Sequence, residues 1–148
     1  MRVGVTGAGG LVGVQLCAFL STGGHQVVRF VRGEPRNEGE RRWNPTDPEN
    51  GLAPAAVEDL DAIVHLAGEP IAAGRWTDAR KRMILESRTL GTATVARAIA
   101  RATRKPSVFI SASAIGFYGN RGANWVDERS EPGTDNFLCE VTEAWERA

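Results

Sequence analysis

The chain has 148 residues, with 18 lysines and arginines balanced by 18 aspartates and glutamates, and 42% of its residues are hydrophobic. That length suits one domain with a real core, by the usual ~100–200 residues per domain, and zero net charge gives no pull toward a polyanion such as nucleic acid. Cys17 and Cys139 are isolated and lack metal-ligand spacing, and no apolar run is long enough to span a membrane, so a cytoplasmic protein with reduced thiols and no membrane partner is expected.

Val3 to Thr6 reads as a strand that leads without a gap into Gly7-Ala8-Gly9-Gly10-Leu11-Val12-Gly13 and a helical pattern. Strand, tight turn and helix start in that order make the glycine spacing a phosphate-cradle signal rather than an ordinary corner. Gly7 suits the sharp exit from the strand. Gly10 leaves the helix N-terminus open to a pyrophosphate, and Gly13 allows the helix to pack close to the sheet. A first helix is predicted from Leu11 to Leu20, with Leu11, Val12, Leu16, Phe19 and Leu20 at helical spacing and Gly23-Gly24 as its stop.

A second strand is expected from Gln26 to Val31, followed by Arg32 and a turn from Gly33 to Gly39. Residues Glu34 to Asp61, with Pro35, Pro45, Pro48 and Pro54, carry the weakest pattern; Arg41-Arg42-Trp43 reads as a short strand and Pro54 to Leu60 as a short helix. Ala62 to Leu66 is a near-continuous apolar run, as in a strand buried on both faces. A long helical region starts at Thr77, and Thr92, Val95, Ala96, Ile99 and Ala102 mark its apolar face before Pro106. Arg80-Lys81-Arg82 and Arg101 to Lys105 read as solvated basic pieces. A fifth apolar strand, Ser107 to Ala112, leads into Ser111-Ala112-Ser113-Ala114, then a polar loop from Asn120 to Asp135, then a terminal helix from Phe137 to Ala148. Strands alternating with helices predict an α/β fold with a doubly wound parallel sheet of strand order 3-2-1-4-5.

Thr6-Gly7-x-x-Gly10-x-x-Gly13 resembles the nucleotide fingerprint of extended and atypical short-chain dehydrogenases/reductases. More specific are Leu66-Ala67-Gly68-Glu69-Pro70-Ile71, the pairs Arg75-Trp76 and Ser87-Arg88, the run Ser111 to Gly119, and Asp135-x-Phe137-Leu138 with Trp145-Glu146. These resemble the epimerase-family subgroup of NAD-dependent epimerase/dehydratase-like proteins, nucleoside-diphosphate-sugar epimerase-like in name and in bacteria also labelled cell-division inhibitors. Members are about twice this long, so the resemblance implies that residues 1–148 form a Rossmann-type NADP(H)-binding domain, truncated before the C-terminal substrate-binding part. It implies further that the glycine loop with Leu11 and Val12 holds the pyrophosphate, that Leu66, Ala67 and Gly68 line the adenosine side, and that Ser111, Ala112 and Ser113 face the nicotinamide. By analogy with related families a homodimer is an allowed assembly.

An NAD site needs a carboxylate after the second strand to take the ribose hydroxyls. Arg32 stands there instead, a cation suited to the 2′-phosphate of NADP(H), with Arg36 as a second cation to assist; an arginine that simply faces solvent is the alternative. Enzymes of this class pair a tyrosine with a lysine four residues later for proton transfer. Tyr118 is the only tyrosine, the residue four after it is Gly122, and Phe137 and Val141 stand near the expected helical places. Ser113 matches the family's catalytic serine, or satisfies backbone at a strand end. Tyr118 reads as a substrate-facing phenol or a packed loop aromatic. Glu69 and Asp127-Glu128 read as solvated carboxylates with acid/base work as the alternative, and Trp43, Trp76, Trp125 and Trp145 as packing anchors. Two functions follow: an NADP-dependent oxidoreductase or sugar-nucleotide epimerase acting on a nucleotide sugar or small carbonyl, or a non-catalytic NADP(H)-binding sensor module.

Overall fold

A computed structural model describes residues 1–148. Its strands β1 (Arg2–Thr6), β2 (Gln26–Val31), β3 (Glu40–Arg42), β4 (Ala62–His65) and β5 (Val108–Ser111) form one sheet in the order β3-β2-β1-β4-β5, parallel throughout. Helices α1 (Leu11–Thr22), α2 (Asp78–Arg101) and α3 (Phe137–Glu146) complete a Rossmann-type α/β fold.

The period-two alternation of the strands sorts the core into two layers. Val3, Val5 and Ala62 pack with Ala8 and Cys17 on the α1 side. Val28, Phe30 and Ile63 face the other way and meet Val95 and Ala98 of α2, and Ala102 just past its end, together with Trp43, Leu52, Val57 and Leu60. The chain from residue 44 to residue 60 has little regular structure because its prolines interrupt both ladders and helices. It still buries Leu52, Val57 and Leu60, and Arg41 ties it down by donating to the Ala56 carbonyl and to both carboxylate oxygens of Asp59.

Two expectations are corrected here. Pro54 to Leu60 is not a continuous helix; only Pro54–Ala56 makes a 3-10 turn, and a further turn closed by the Leu60 N–H on the Val57 carbonyl leads to β4. The apolar residues of α1 do not share one buried face. Gly13 and Cys17 are buried, whereas Leu11, Val12 and Phe19 are 89%, 64% and 76% exposed. Gly13 decides this rotation, because a Cβ there would lie 2.2 Å from the Gly7 carbonyl oxygen, so the glycine edge of the helix is the one that fits against the loop. The fifth strand falls within the expected Ser107 to Ala112, and as the sheet edge it leaves all four of its residues exposed.

Candidate functional site

The register sets Phe30, Thr6, His65 and Ser111 side by side at the carboxyl ends of β2, β1, β4 and β5. The segments that follow therefore emerge at one edge of the sheet: Arg32, the loop Gly7 to Gly13, Leu66 to Gly68, and Ala112 with Ser113. The chain leaves β1 toward β2 on one side and reaches β4 on the other, so this edge is the topological switch point at which open α/β sheets place their ligands.

Within it, Gly7 takes φ 66°, and a Cβ there would be 2.8 Å from the Ala67 nitrogen, so the glycine loop and the Leu66-Ala67 segment abut backbone to backbone. Thr6 joins them. Its hydroxyl accepts the Leu66 and Ala67 N–H groups at 3.1 and 3.3 Å and lies 2.7 Å from His65 Nδ1. With both acceptor positions used, the Thr6 hydrogen is left to point at Nδ1. His65 is thereby the neutral tautomer carrying its hydrogen on Nε2. That nitrogen is buried without a hydrogen-bond partner, and the ring meets Trp43 edge to face at 5.9 Å. Burial pushes the His65 pKa down to about 4.

The helix N-termini differ in one respect. Thr77 caps α2 by accepting from the Arg80 N–H, and Asn136 caps α3 by accepting from Leu138 and Cys139. Gly10 caps α1 with no side chain at all. The first-turn amides of α1, at Leu11, Val12 and Gly13, are thus left without an intrahelical partner, at the positive end of the helix dipole. Arg32 is exposed just past β2. Its acidic neighbour Glu34 is engaged by Arg42, and Arg32 itself enters no salt bridge.

Ser113 and Tyr118 are not brought together. Ser113 is exposed and its hydroxyl donates to Glu146 Oε1, beside a cavity of about 340 Å³ lined by Thr92, Ser111, Trp145 and Glu146. Tyr118 is half-buried on the 3-10 turn Ile115–Tyr118, its ring edge-on to Phe117 at 5.3 Å. It lines a separate cavity of about 620 Å³ with Ile115, Arg121, Asp127 and Glu128. Asp127 acts locally, accepting from the Arg129 N–H and from Ser130.

Glu69 is not solvated. Arg80 donates to its carboxylate at 2.7 Å, and the two side chains are 14% and 29% exposed. Among the tryptophans, Trp43 and Trp145 are buried anchors and Trp145 donates to Thr92 Oγ1 at 3.0 Å, but Trp125 is 99% exposed. Reasoning from sequence missed Glu146, Arg80 and the Thr6–His65 pair. The only signal for the last was Thr6 as the first member of the glycine motif.

The family model described as "NAD dependent epimerase/dehydratase family" matches residues 3–138. The chain is 40% identical over 146 residues to an epimerase family protein of Mycobacterium bovis, covering 99% of this chain and 47% of that protein. Among solved structures it is similar to human epimerase family protein SDR39U1 with NADPH, at 30% identity and TM-score 0.86, over 99% of this chain and 48% of that one. It is also similar to the nucleoside-diphosphate sugar epimerase of Corynebacterium glutamicum, at 42% identity and TM-score 0.81, over 99% of this chain and 30% of that one. The chain spans about half the length of the curated relatives it matches. No helix is long and apolar enough to cross a membrane.

Proposed function

The chain belongs to the NAD dependent epimerase/dehydratase family, and from that premise we propose that it is the NADP(H)-binding half of an epimerase-like oxidoreductase acting on a nucleotide sugar or small carbonyl. The pyrophosphate sits on the open amides of Leu11, Val12 and Gly13, where Gly10 leaves the helix uncapped and Gly7 lets the backbone approach. The adenosine lies along Leu66, Ala67 and Gly68, and the nicotinamide faces Ser111, Ala112 and Ser113. The bound dinucleotide supplies or accepts hydride. In oxidation the substrate hydroxyl would give its proton to Ser113 Oγ as the serine's own proton moves along its bond to the Glu146 carboxylate and hydride passes to the bound dinucleotide; in reduction the same relay would run backward from protonated Glu146.

The observation that carries the cofactor choice is Arg32, a cation without an ion-pair partner where an NAD site needs a carboxylate. The human relative solved with NADPH is of the same family. Fluorescence titration tests the choice. NADPH is expected to bind more tightly than NADH, and R32E to erase the difference; equal affinities in the unmodified protein overturn it.

One observation favours a second reading, a non-catalytic sensor of NADP(H). Helix α3 carries Phe137 and Val141 near the places of the usual tyrosine and lysine, and neither exchanges protons. A screen of NADPH oxidation against nucleotide sugars and small carbonyls, on the chain with the half its relatives possess, separates the two. Turnover lost in S113A supports the enzyme, and binding without turnover across the panel supports the sensor.

A further inference from the structure

The pair Ser87-Arg88 stands out in the sequence without a chemical reason, and α2 supplies one. Every polar group of Glu69 is held by that helix. Its N–H donates to Ser87 Oγ at 3.0 Å, and its carbonyl accepts from Arg88 Nη1 at 3.1 Å. Its carboxylate accepts from Arg80 Nη1 at 2.7 Å, while Arg80 Nη2 donates to the next carbonyl, Pro70. Two successive side chains of one helix thus fix both backbone groups of one loop residue.

The Arg88 guanidinium reaches further. Its Nη1 also donates to the Ile84 carbonyl at 3.0 Å, which sets the side chain against its own helix. Its carbon lies 5.1 Å from the Trp145 ring centroid, a cation–π contact with α3. On the loop side it meets Gly68: a Cβ at Gly68 would sit 3.4 Å from Cζ and 3.6 Å from both terminal nitrogens. The guanidinium therefore lies across the Gly68 backbone, within van der Waals reach of a Cβ placed there. Thr6 holds Leu66 and Ala67 from the sheet side, and Ser87 and Arg88 hold Gly68 and Glu69 from the helix side.

We propose that Ser87 and Arg88 are positioning residues of the dinucleotide site, fixing from α2 the far end of the Leu66 to Gly68 segment against which the adenosine half of the cofactor packs. This rests on the dinucleotide reading given above. In this role both act through the segment they hold, by the contacts named above. A loop held at both ends has little conformational freedom left to lose on binding, so its release lowers affinity with no contact removed. Lysine substitutes for Arg88 only in part: its ammonium can bond both carbonyls, as Nη1 alone does, but it has no planar guanidinium to lie across Gly68 and against Trp145.

The test measures Kd for NADPH and for 2′,5′-ADP, which carries only the adenosine side, in the unmodified chain and in S87A, R88A and R88K. R97A serves as control: Arg97 lies on the same helix, about 13 Å further along at 1.5 Å per residue, and its loss breaks an ion pair with Glu49 of the loop after β3. All titrations run well below each variant's Tm, with folding checked by circular dichroism. R88A is expected to weaken both ligands by about tenfold, with S87A and R88K between it and the unmodified chain, and R97A unchanged. Nicotinamide mononucleotide, which misses the adenosine side, is expected to bind all variants alike. Unchanged affinities in R88A and S87A overturn the inference alone, as does an equal loss in R97A or equal losses for the nicotinamide fragment. No binding of NADPH or 2′,5′-ADP by the unmodified chain overturns the proposed function, and this inference with it.

Discussion

Mild acid should loosen this fold well above the range in which carboxylates titrate, with His65 as the cause. Its ring is fully buried, accepts the Thr6 hydroxyl at Nδ1, and has no acceptor at Nε2. Protonation puts an unpaired charge in the core and sets two donors against each other at Nδ1. The folded pKa of about 4 lies below the 6.5 of the free side chain. The unfolded chain therefore binds the extra proton between those values, and stability that is complete above pH 6.5 is lost as pH falls toward 4. At 1.36 kcal/mol per unit the full loss is roughly 3 kcal/mol, of which about 2 kcal/mol falls between pH 7 and pH 5. Urea unfolding at those two pH values reads it as a fall in midpoint of about 1 M, for a slope near 2 kcal/mol per M. H65Q removes the titrating ring, and its midpoint should move much less over the same interval, whatever its stability at pH 7. Identical pH slopes for the two proteins would refute the buried, neutral assignment of His65.

Other expectations follow from the same geometry. G13A places a Cβ 2.2 Å from a backbone oxygen that cannot swing away; a loss of about 3 kcal/mol is expected in urea unfolding, together with weakened NADPH binding, and a variant that folds and binds normally contradicts the close packing of α1 on its loop. N136A removes the cap that accepts from Leu138 and Cys139 and should cost about 1 kcal/mol, read as a lower Tm with the NADPH Kd unchanged. R32E should abolish discrimination between NADPH and NADH in fluorescence titration, without changing Tm appreciably, because the side chain is exposed and unpaired.

Much of the architecture was legible because its signals are local. Strand, glycine turn and helix are contiguous from Val3 to Gly13, and alternation of apolar runs with helical periodicity gave all five strands and their order. The pieces that misled were those whose environment is set by distant residues. Phe19 and Leu11 look like core residues by spacing, yet Gly13 turns them outward. Glu69 looks solvated in a polar stretch, yet α2 brings Arg80, Ser87 and Arg88 around it from residues 11 to 19 positions later. The Pro54 to Leu60 stretch has helical composition, but burial of Val57 and Leu60 and the grip of Arg41 on Ala56 and Asp59 win over propensity.

The sequence by itself determined the family, the parallel sheet and the loop at which a dinucleotide would be held, since each of these is written in short-range spacing and residue type. Tertiary structure alone decided which tautomer His65 adopts, that Ser113 pairs with Glu146 rather than Tyr118, and that Ser87 and Arg88 hold the Gly68-Glu69 backbone. Those outcomes are hydrogen bonds between residues 18 to 59 positions apart. A hydrogen bond depends on tenths of an ångström and on burial, and both are fixed only when the sheet and its helices close around them.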